Sequence, residues 1–394
     1  MTSVKYTSTK IACYSGFVVQ AIVNNFLPIL FIALNENYGI GYEELGRLIM
    51  INFVTQLVTD TLTPKIVAKI GYRRAAVMCQ GTAALGLIML AVLPRIMGSV
   101  YIGIVLSILV YAFASGLMEV ILSPMMEMLP TGNKSGNMAL LHSFYCWGQA
   151  FTTLVTTLLV FVFGYGGWGN IPLIWAVIPL INMFAFLKVP IVEPEPERKS
   201  ATLSSLLKAP MFWCFMIIMF CAGASEIAMA EWASMFAQQA LGVSKVAGDL
   251  AGPCAFALFM GVGRVVYAVF SERLSFKKTL IVMSALCAAC YFVAAFSEIP
   301  VLALIACALC GFTVSLFWPG TYSAGARVFP KGDAVMFSVF AMCGDLGCCL
   351  GPYVLGLVAD RVNLHAGFAV SAVFPIILFV TALFFYKEKA CQTN

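Results

Sequence analysis

Glu119 is the first residue in this chain with the chemistry of a functional site, because it is a carboxylate in the interior of a long apolar run. The run begins near Ser99 and continues through Gly116 to Pro124. Roughly twenty-five residues at ~1.5 Å rise per residue are long enough to cross a bilayer core of ~30 Å. An ionisable group there costs about 3 kcal/mol, so it normally faces a bundle interior or a wet cavity. The sequence predicts that Glu119 binds and releases protons, or else packs against an amide of a neighbouring helix.

Three further carboxylates lie inside apolar runs, namely Glu226, Glu231 and Asp345. The two glutamates are five residues apart, which places them about 140° apart around a helix, so they cannot both face one cavity squarely. Glu226, nearer the middle of its run, is the better candidate for a proton or substrate site, and Glu231 is either a gate or an interfacial anchor. Gly344 and Gly347 allow another helix to approach Asp345 closely. No Arg or Lys falls in the middle of a run, so we expect no ion pair in the membrane and predict a protonated or cation-binding Asp345.

Amide, imidazole and aromatic side chains accompany these acids inside the apolar runs. His142 and Gln149 are seven residues apart and share one helix face, although His142 could equally be a structural group. Amides hydrogen-bond the edges of a sugar while aromatic rings stack on its apolar face, and the same groups bind a cationic amphipathic drug through cation–π contact. The predicted substrate-binding residues are Asn24, Asn25, Gln56, His142, Gln149, Trp232, Trp318 and Tyr322.

The composition indicates a membrane protein. Of 394 residues, 61% are hydrophobic and only 10% are charged, whereas a soluble domain carries about 25% charged residues. Hydropathy predicts an all-α integral membrane protein with twelve transmembrane helices in two six-helix halves. The predicted spans are approximately 11–34, 47–68, 75–94, 99–124, 137–163, 171–189, 210–238, 247–270, 278–296, 301–325, 334–358 and 367–386.

Several function classes are excluded by what the sequence lacks. Most of the 14 cysteines fall in apolar runs without metal-ligand spacing, so we expect packing residues rather than a metal site. The two histidines, His142 and His365, form no catalytic cluster, and no nucleotide-binding loop is present. We therefore expect neither an enzyme nor an ATP-driven pump, with no cofactor, no metal and no nucleic-acid partner. Nothing resembles a channel filter or a ring of like charges.

One long polar connection, residues 190–209, divides the chain into halves 1–189 and 210–394. Most of the 23 Lys and Arg residues lie on the side of the N-terminus. The exceptions are Arg47, Arg95, Lys245 and Arg361. By the positive-inside rule, both termini and the central connection are cytoplasmic, in a multi-pass protein of the cell (inner) membrane.

A short basic turn containing glycine recurs after the second span of each half. The first half has Asp60 and then Gly71-Tyr72-Arg73-Arg74, and the second has Gly263-Arg264, Glu272-Arg273 and Lys277-Lys278. This pattern resembles the signature loop G-x-x-x-D-R-x-G-R-R of the major facilitator superfamily, although a generic positive-inside loop is the alternative. The resemblance implies that the loop residues hold the two halves together on the cytoplasmic side and help to gate transport. It assigns that role to Asp60, Gly71, Arg73, Arg74, Arg264, Glu272 and Arg273.

Within that superfamily the sequence is most similar to the fucose permease group of sugar:proton symporters. The similarity lies in Glu119 followed by Pro124, in Ser315 followed by Pro319 and Gly325, and in Gly223-Ala224-Ser225-Glu226 followed by Trp232. It implies that Glu119 is a proton-coupling carboxylate. The carboxylate of that group's first span is missing here, because the polar residues at this place are Gln20, Asn24 and Asn25.

Together these features predict a monomeric secondary transporter that imports a small polar solute, such as a sugar, by alternating access with proton coupling. Glu119, Glu226 and Asp345 are the predicted proton-coupling residues. A drug or metabolite exporter that works by proton antiport is the alternative. Drug antiporters of the superfamily carry a glycine-proline motif in their fifth span, and the fifth span here lacks it, while a similar string, Gly347 to Pro352, lies in the eleventh.

Overall fold

The protein is a bundle of long helices in the computed structural model, which describes residues 6–130, 134–192, 203–270, 274–329 and 333–384. Within those ranges the only regular elements are helices. The predicted all-α fold class is therefore confirmed. The high apolar content accounts for it, because every backbone polar group in lipid must be satisfied within its own segment.

The first half contains helices α1 to α6. Helix α1 runs over Thr7–Asn25, passes through a 3-10 turn at Leu27–Leu30 that contains Pro28, and continues over Phe31–Tyr38. Helices α2 and α3 share one continuous element, Tyr42–Ile96. The half is completed by α4 (Val100–Glu127), α5 (Lys134–Phe163), a 3-10 turn (Tyr165–Asn170) and α6 (Ile171–Lys188).

The second half follows a short helix, Leu203–Leu207, and contains helices α7 to α12. Helix α7 spans Pro210–Met235 and ends in a π turn at Phe236–Ala240. Helix α8 has three parts, Lys245–Asp249, a π turn at Leu250–Cys254 that contains Pro253, and Ala255–Phe270. The others are α9 (Phe276–Phe296), α10 (Pro300–Val314 and Phe317–Val328), α11 (Asp333–Arg361) and α12 (Leu364–Ser371 and Val373–Phe384).

Eleven helical segments of the described chain are long and apolar enough to cross a membrane. One of them is the 55-residue element Tyr42–Ile96, which at ~1.5 Å per residue is far longer than a bilayer core of ~30 Å. Its backbone breaks at Gly71, where φ is 79° and ψ is 163°, so it counts as two spans, α2 (42–70) and α3 (72–96). The predicted twelve-span architecture is confirmed.

Twelve spans that alternate in direction place the start of α1 and the end of α12 on one side of the bundle. We call that side the terminal face and the opposite side the distal face. Lys65 and Lys69 lie in the last two turns of α2, and Gly71 forms the α2–α3 turn at the terminal face. Gly39, a left-handed residue with φ 65°, begins the α1–α2 turn at the distal face.

Helix α11 packs closely against both α7 and α2, and glycines make the approach possible. A Cβ at Gly351 would lie 2.6 Å from the backbone oxygen of Ala224 in α7, and one at Gly46 would lie 3.2 Å from the backbone oxygen of Pro352. On the second contact α11 crosses from its own half to the first half. This arrangement brings the middle of α11, which carries Asp345, to the interface between the halves.

Candidate functional site

Three carboxylates from both halves meet at this interface. Asp60 of α2, Glu119 of α4 and Asp345 of α11 each offer an oxygen atom, and these atoms lie within 4.8 Å of one another. Asp345 is 3% exposed, while Asp60 and Glu119 are half-buried. We call this group the three-carboxylate cluster. It joins two acids that the sequence predicted as proton-coupling residues with a third that it did not.

The comparison with the signature motif suggested that Asp60 belongs to a loop. In the structure it does not. It lies inside α2, about three helical turns before the break at Gly71. Gly116 of α4 makes room for it, because a Cβ at that glycine would lie 2.8 Å from Oδ1 of Asp60. The motif match therefore joined an acid inside α2 to a turn eleven residues away, and the gating role of Asp60 stays a prediction.

The cluster has little to compensate its charge. Nε2 of Gln20 in α1 donates a hydrogen bond of 3.2 Å to Oε2 of Glu119. The Asp60 and Asp345 carboxyl groups contact each other, but no other group of the described chain hydrogen-bonds either oxygen of Asp60 or Oδ2 of Asp345, and Oε1 of Gln20 is also unpaired. No ion pair in the described part of the chain reaches the cluster. Three full negative charges at this spacing repel one another strongly in a low dielectric, so the arrangement requires bound protons or a bound cation.

A network of buried amides lies in the first half, next to the cluster. Oδ1 of Asn24 accepts hydrogen bonds from Nδ2 of Asn52 at 3.3 Å and from Nε2 of Gln56 at 3.3 Å. The hydroxyl of Ser115 in α4 donates to Oε1 of Gln56 at 2.8 Å. A small cavity lies beside this network, lined by Asn24, Asn52, Tyr111 and apolar residues of α1 and α2. Asn24 and Gln56, both predicted to bind substrate, are thus brought together, and Asn52 and Ser115 join them.

Asn25 and the interior face of α5 form a neighbouring polar surface. Nδ2 of Asn25 donates to the hydroxyl of Tyr145 at 3.3 Å. His142 packs edge to face on Phe17, with ring centroids 5.1 Å apart, and Gln149 on the same helix face is 3% exposed. The lipid-facing stripe of α5 is different, and its exposed apolar residues are Leu140, Trp147, Phe151, Leu154 and Leu158.

Glu226 has a basic partner, contrary to the expectation that the membrane contains no ion pair. Nη2 of Arg264 in α8 lies 3.7 Å from Oε1 of Glu226, and the two side chains are 15% and 7% exposed. Nη1 of Arg264 also donates to the backbone oxygen of His142 at 3.3 Å. The sequence analysis grouped Arg264 with the gating-loop residues, although its predicted span 247–270 contained it. In the structure Arg264 lies inside α8, which ends at Phe270, and faces both α7 and α5.

Glu231 is a buried acid outside the three-carboxylate cluster, and the described residues give it no partner. It is 2% exposed, and neither of its carboxylate oxygens has a hydrogen bond. The next residue, Trp232, packs edge to face on Phe31 and on Tyr42, so this part of α7 lies at the interface with the first half. The interfacial-anchor interpretation does not fit this position, because an anchor would lie at the membrane surface.

The predicted aromatic residues occupy two different environments. Trp232 is fully buried, and its indole nitrogen donates to the backbone oxygen of Pro352 at 3.1 Å. It packs edge to face on Phe31 and so seals the interface near the distal face. Trp318 and Tyr322 in α10 are half-buried and have ring centroids 6.4 Å apart. These two rings remain accessible to a ligand, whereas Trp232 is enclosed by packing.

The signature loop of the first half holds its own half together. Gly71 supplies the backbone break, and Nη1 of Arg73 donates to the backbone oxygens of Phe186 and Leu187, each at 3.0 Å. These carbonyls are the unsatisfied groups at the end of α6. Arg74 lies in the next position of α3 and is exposed. In the second half, Glu272 and Arg273 lie outside the described residues.

A buried ion pair near the distal face was missed by the sequence analysis. Nζ of Lys245 lies 2.8 Å from Oδ2 of Asp249 in α8 and donates to the backbone oxygen of Ile29 in α1 at 2.6 Å. The hydroxyl of Thr157 in α5 donates to Oδ2 of Asp249 at 2.6 Å. We call these four residues the distal latch. The spacing of Lys245 and Asp249, four residues apart, was the available signal, but Lys245 was assigned to a loop.

The exposure of the side chains at the interface between the halves differs between the distal face and the terminal face. Asn24, Asn25, Gln56, Glu231 and Trp232 are each less than a tenth exposed. Nearer the terminal face, His142 is exposed, and Asp60 and Glu119 are half-buried. Because His142 does not belong to the lipid-facing stripe of α5, its exposure marks a space between the halves. The interface is thus packed closed near the distal face, and nearer the terminal face it contains an exposed side chain, His142.

Two six-helix halves with polar and charged groups at a midplane interface define a secondary transporter. The comparison with known families agrees with this class. The sequence model of the Major Facilitator Superfamily matches residues 12–263 and 250–393, and the chain belongs to that family. Proteins of this family are transporters and not enzymes, as the sequence predicted.

Individual relatives are distant in sequence and close in fold. The chain is 22% identical over 359 residues to membrane protein MosC of Rhizobium meliloti, covering 90% of this chain and 84% of the relative. Among solved structures, a point variant of the fucose:proton symporter FucP of E. coli has a TM-score of 0.68 at 16% identity and covers 98% of this chain and 100% of its own.

Two other solved structures have the same fold. A point variant of the nucleoside transporter NupG has a TM-score of 0.76 at 14% identity, covering 96% of this chain and 100% of its own. A D-xylose-proton symporter has a TM-score of 0.78 at 13% identity, covering 97% and 98%. At these identities the similarity shows the fold alone.

Proposed function

We propose that this protein imports a small polar solute, a sugar or related metabolite, together with protons across the cell (inner) membrane. The two halves alternate access around a site between them, and the terminal face is cytoplasmic because most basic residues lie there. The protein acts as a monomer. On this assignment the structure is the inward-facing form.

The observation that carries the proposal is the three-carboxylate cluster, because it is built by both halves. Asp60 and Glu119 belong to the first half and Asp345 to the second, with oxygens within 4.8 Å. When the three carboxyl groups are protonated, the halves can come together at the cluster without electrostatic repulsion. When the groups are ionised, their negative charges repel one another and push the halves apart. Proton binding is thereby linked to the movement that exchanges access, which is the requirement for coupling.

The cluster also changes the assignment of the coupling residues. Glu119 and Asp345 keep the role that the sequence predicted, and Asp60 joins them. Glu226 is paired with Arg264 at 3.7 Å, so its negative charge is compensated in the observed state. We assign that pair to the solute site between the halves rather than to proton coupling. We call this site the solute chamber, and it also contains the side chains of Asn24, Asn25, Asn52, Gln56, His142, Trp318 and Tyr322.

The solute assignment is supported by the chamber's amide, imidazole and aromatic groups, which suit a polyhydroxylated ligand. Solved proteins with this fold are named as transporters of fucose, nucleosides and D-xylose. The direction of transport rests on α5, which lacks the glycine-proline motif of drug antiporters.

The test is uptake into proteoliposomes that contain a pH-sensitive dye, with a panel of labelled sugars and nucleosides. We expect an imposed proton gradient to accumulate one of these solutes, and solute addition to acidify the lumen. Glu119→Gln should abolish accumulation but retain exchange of solute down its own gradient. Glu298→Gln, an exposed acid at the distal face, is the matched control. Accumulation driven only by a sodium gradient, or full accumulation by Glu119→Gln, would overturn proton coupling.

A further inference from the structure

Glu231 is a buried acid to which the proposed function assigns no role. It is 2% exposed and both oxygens of its carboxylate lack a hydrogen bond. The other acids of the interface have partners or neighbours of a different kind, since Glu226 pairs with Arg264, Asp249 pairs with Lys245, and Asp60, Glu119 and Asp345 cluster together. A carboxylate isolated in this way needs a proton or an external cation.

The position of Glu231 is that of a solute contact rather than of the proton site. In α7 it lies eight residues, or about 12 Å along the helix, from Gly223. A Cβ at Gly223 would lie 3.0 Å from the backbone carbon of Gly344, the neighbour of Asp345, so Gly223 marks the level of the three-carboxylate cluster. Glu231 is therefore about two helical turns nearer the distal face and forms a second, separate acidic position.

The surroundings of Glu231 supply what recognises an ammonium group. Trp232, the next residue of α7, packs edge to face on Phe31 of α1, so this part of α7 faces the first half, where Tyr111 and Tyr145 contribute rings and hydroxyls. A carboxylate together with aromatic rings and hydroxyls can bind cationic nitrogen through cation–π contacts and charge-assisted hydrogen bonds. Tyr145 is also bonded to Asn25, and Tyr111 lines the cavity beside Asn24 and Asn52. An ammonium at Glu231 would thus lie across the interface from amides that can bind hydroxyl groups.

The charges of the chamber lead to the same solute class. Glu226 and Arg264 compensate each other, as do Asp249 and Lys245. Outside the three-carboxylate cluster, Glu231 is then the buried acid of this interface to which the described residues offer no basic partner. We propose that Glu231 binds the cationic nitrogen of the solute, and that the transported solute is a small amine-bearing polyol, such as an amino sugar. This inference rests on the proposed function, because it names the solute class of the same transporter.

The experiment compares matched pairs of probes on purified full-length protein by thermal shift and by the transport assay above. The pairs are D-glucosamine with D-glucose, D-galactosamine with D-galactose, and D-mannosamine with D-mannose. We expect the amine of at least one pair to stabilise the wild type more than its hydroxyl counterpart. Glu231→Gln should weaken the binding of that amine by about tenfold or more, the usual effect of removing one partner of a charge-assisted hydrogen bond.

Two further variants separate a binding role from a structural one. Glu231→Asp keeps the charge and should retain preference for the amine, and Glu298→Gln should behave as the wild type. Equal stabilisation by both members of every pair, no stabilisation by any amine, or an amine effect that survives in Glu231→Gln would each overturn the amine site. A neutral sugar that accumulates with protons in wild type and Glu231→Gln alike would overturn this inference alone. Amine binding that depends on Glu231, without proton-driven accumulation, would overturn only the proposed proton coupling.

Discussion

Asp60 and Asp345 come from opposite halves of the protein and, with Glu119, place carboxylate oxygens within 4.8 Å of one another. Among the described residues no basic side chain forms an ion pair with either aspartate. A contact of this kind is stable only while it holds protons or a cation. It therefore makes the distance between the halves sensitive to the ionisation of three groups.

The first prediction concerns that contact. We expect Asp345→Asn to abolish proton-driven accumulation while leaving solute exchange within about threefold of wild type, because the neutral amide removes the repulsion that a proton normally relieves. Asp60→Asn should behave in the same way. The measurement is accumulation against exchange in proteoliposomes between about pH 5.5 and 8, where the wild-type accumulation depends on pH and that of the variants does not.

Asp360→Asn is the matched control, because Asp360 lies on the same helix but is exposed at the distal end. It should retain coupled accumulation. If Asp345→Asn accumulates solute with the pH dependence of wild type, the cluster has no role in coupling.

The second prediction concerns the distal latch. Lys245→Met leaves Asp249, which is fully buried, without its basic partner, and such a change typically costs about 3–5 kcal/mol. We expect the variant to populate a form that is open at the distal face. The measurement is maleimide labelling of a Phe31→Cys reporter, because Phe31 is fully buried at the closed distal side.

The labelling rate of the reporter should rise at least about tenfold in Lys245→Met, since a shift of about 1.4 kcal/mol already changes the equilibrium tenfold. The same substitution without the reporter gives the background from the native cysteines. Asp249→Asn together with Lys245→Met removes both charges and should label more slowly than Lys245→Met alone. Unchanged labelling in Lys245→Met would show that the latch does not hold the distal side closed.

Much of the fold and some of the site follow from the sequence for identifiable reasons. A membrane span can be recognised from the length and apolar content of a single stretch of sequence, so the twelve helices could be counted without a structure. Glu119 and Asp345 were predicted because an acid in an apolar run is costly wherever it packs. That they meet each other, and that Asp60 joins them, depends on α2, α4 and α11 packing together, which no local pattern records.

The errors have the same origin. Arg264 and Lys245 lie near the ends of apolar runs, where a hydropathy count assigns charges to loops. In the structure α8 begins two residues earlier than predicted, at Lys245, and each cation faces a buried acid, Glu226 and Asp249 respectively. The preference for Glu226 over Glu231 relied on position along the run, whereas the difference between them is the presence of a partner on α8.

The third prediction concerns Gly71. Its φ of 79° and ψ of 163° lie in a region that is essentially restricted to glycine, and a side chain there costs about 1–3 kcal/mol. We expect Gly71→Ala to lower the free energy of unfolding by that amount, measured by thermal unfolding, although no atom lies within 4 Å of the added Cβ. Gly98→Ala is the control, because its Cβ also meets open space and its φ is not positive. Equal stabilities of the two variants would mean that the α2–α3 turn relaxes at little cost.

The fourth prediction concerns Glu226 and Arg264, whose charged atoms are 3.7 Å apart in a largely buried position. Arg264→Met leaves a buried carboxylate unpaired and should destabilise the protein by about 3–5 kcal/mol, whereas removing both charges is often close to neutral. Glu226→Gln combined with Arg264→Met should therefore recover most of the melting temperature lost in Arg264→Met. The double-mutant cycle, measured by thermal unfolding in detergent, gives the coupling between the two residues. Additive effects of the two substitutions would show that the pair is not an interacting unit, and Arg264 would then act mainly through the backbone oxygen of His142.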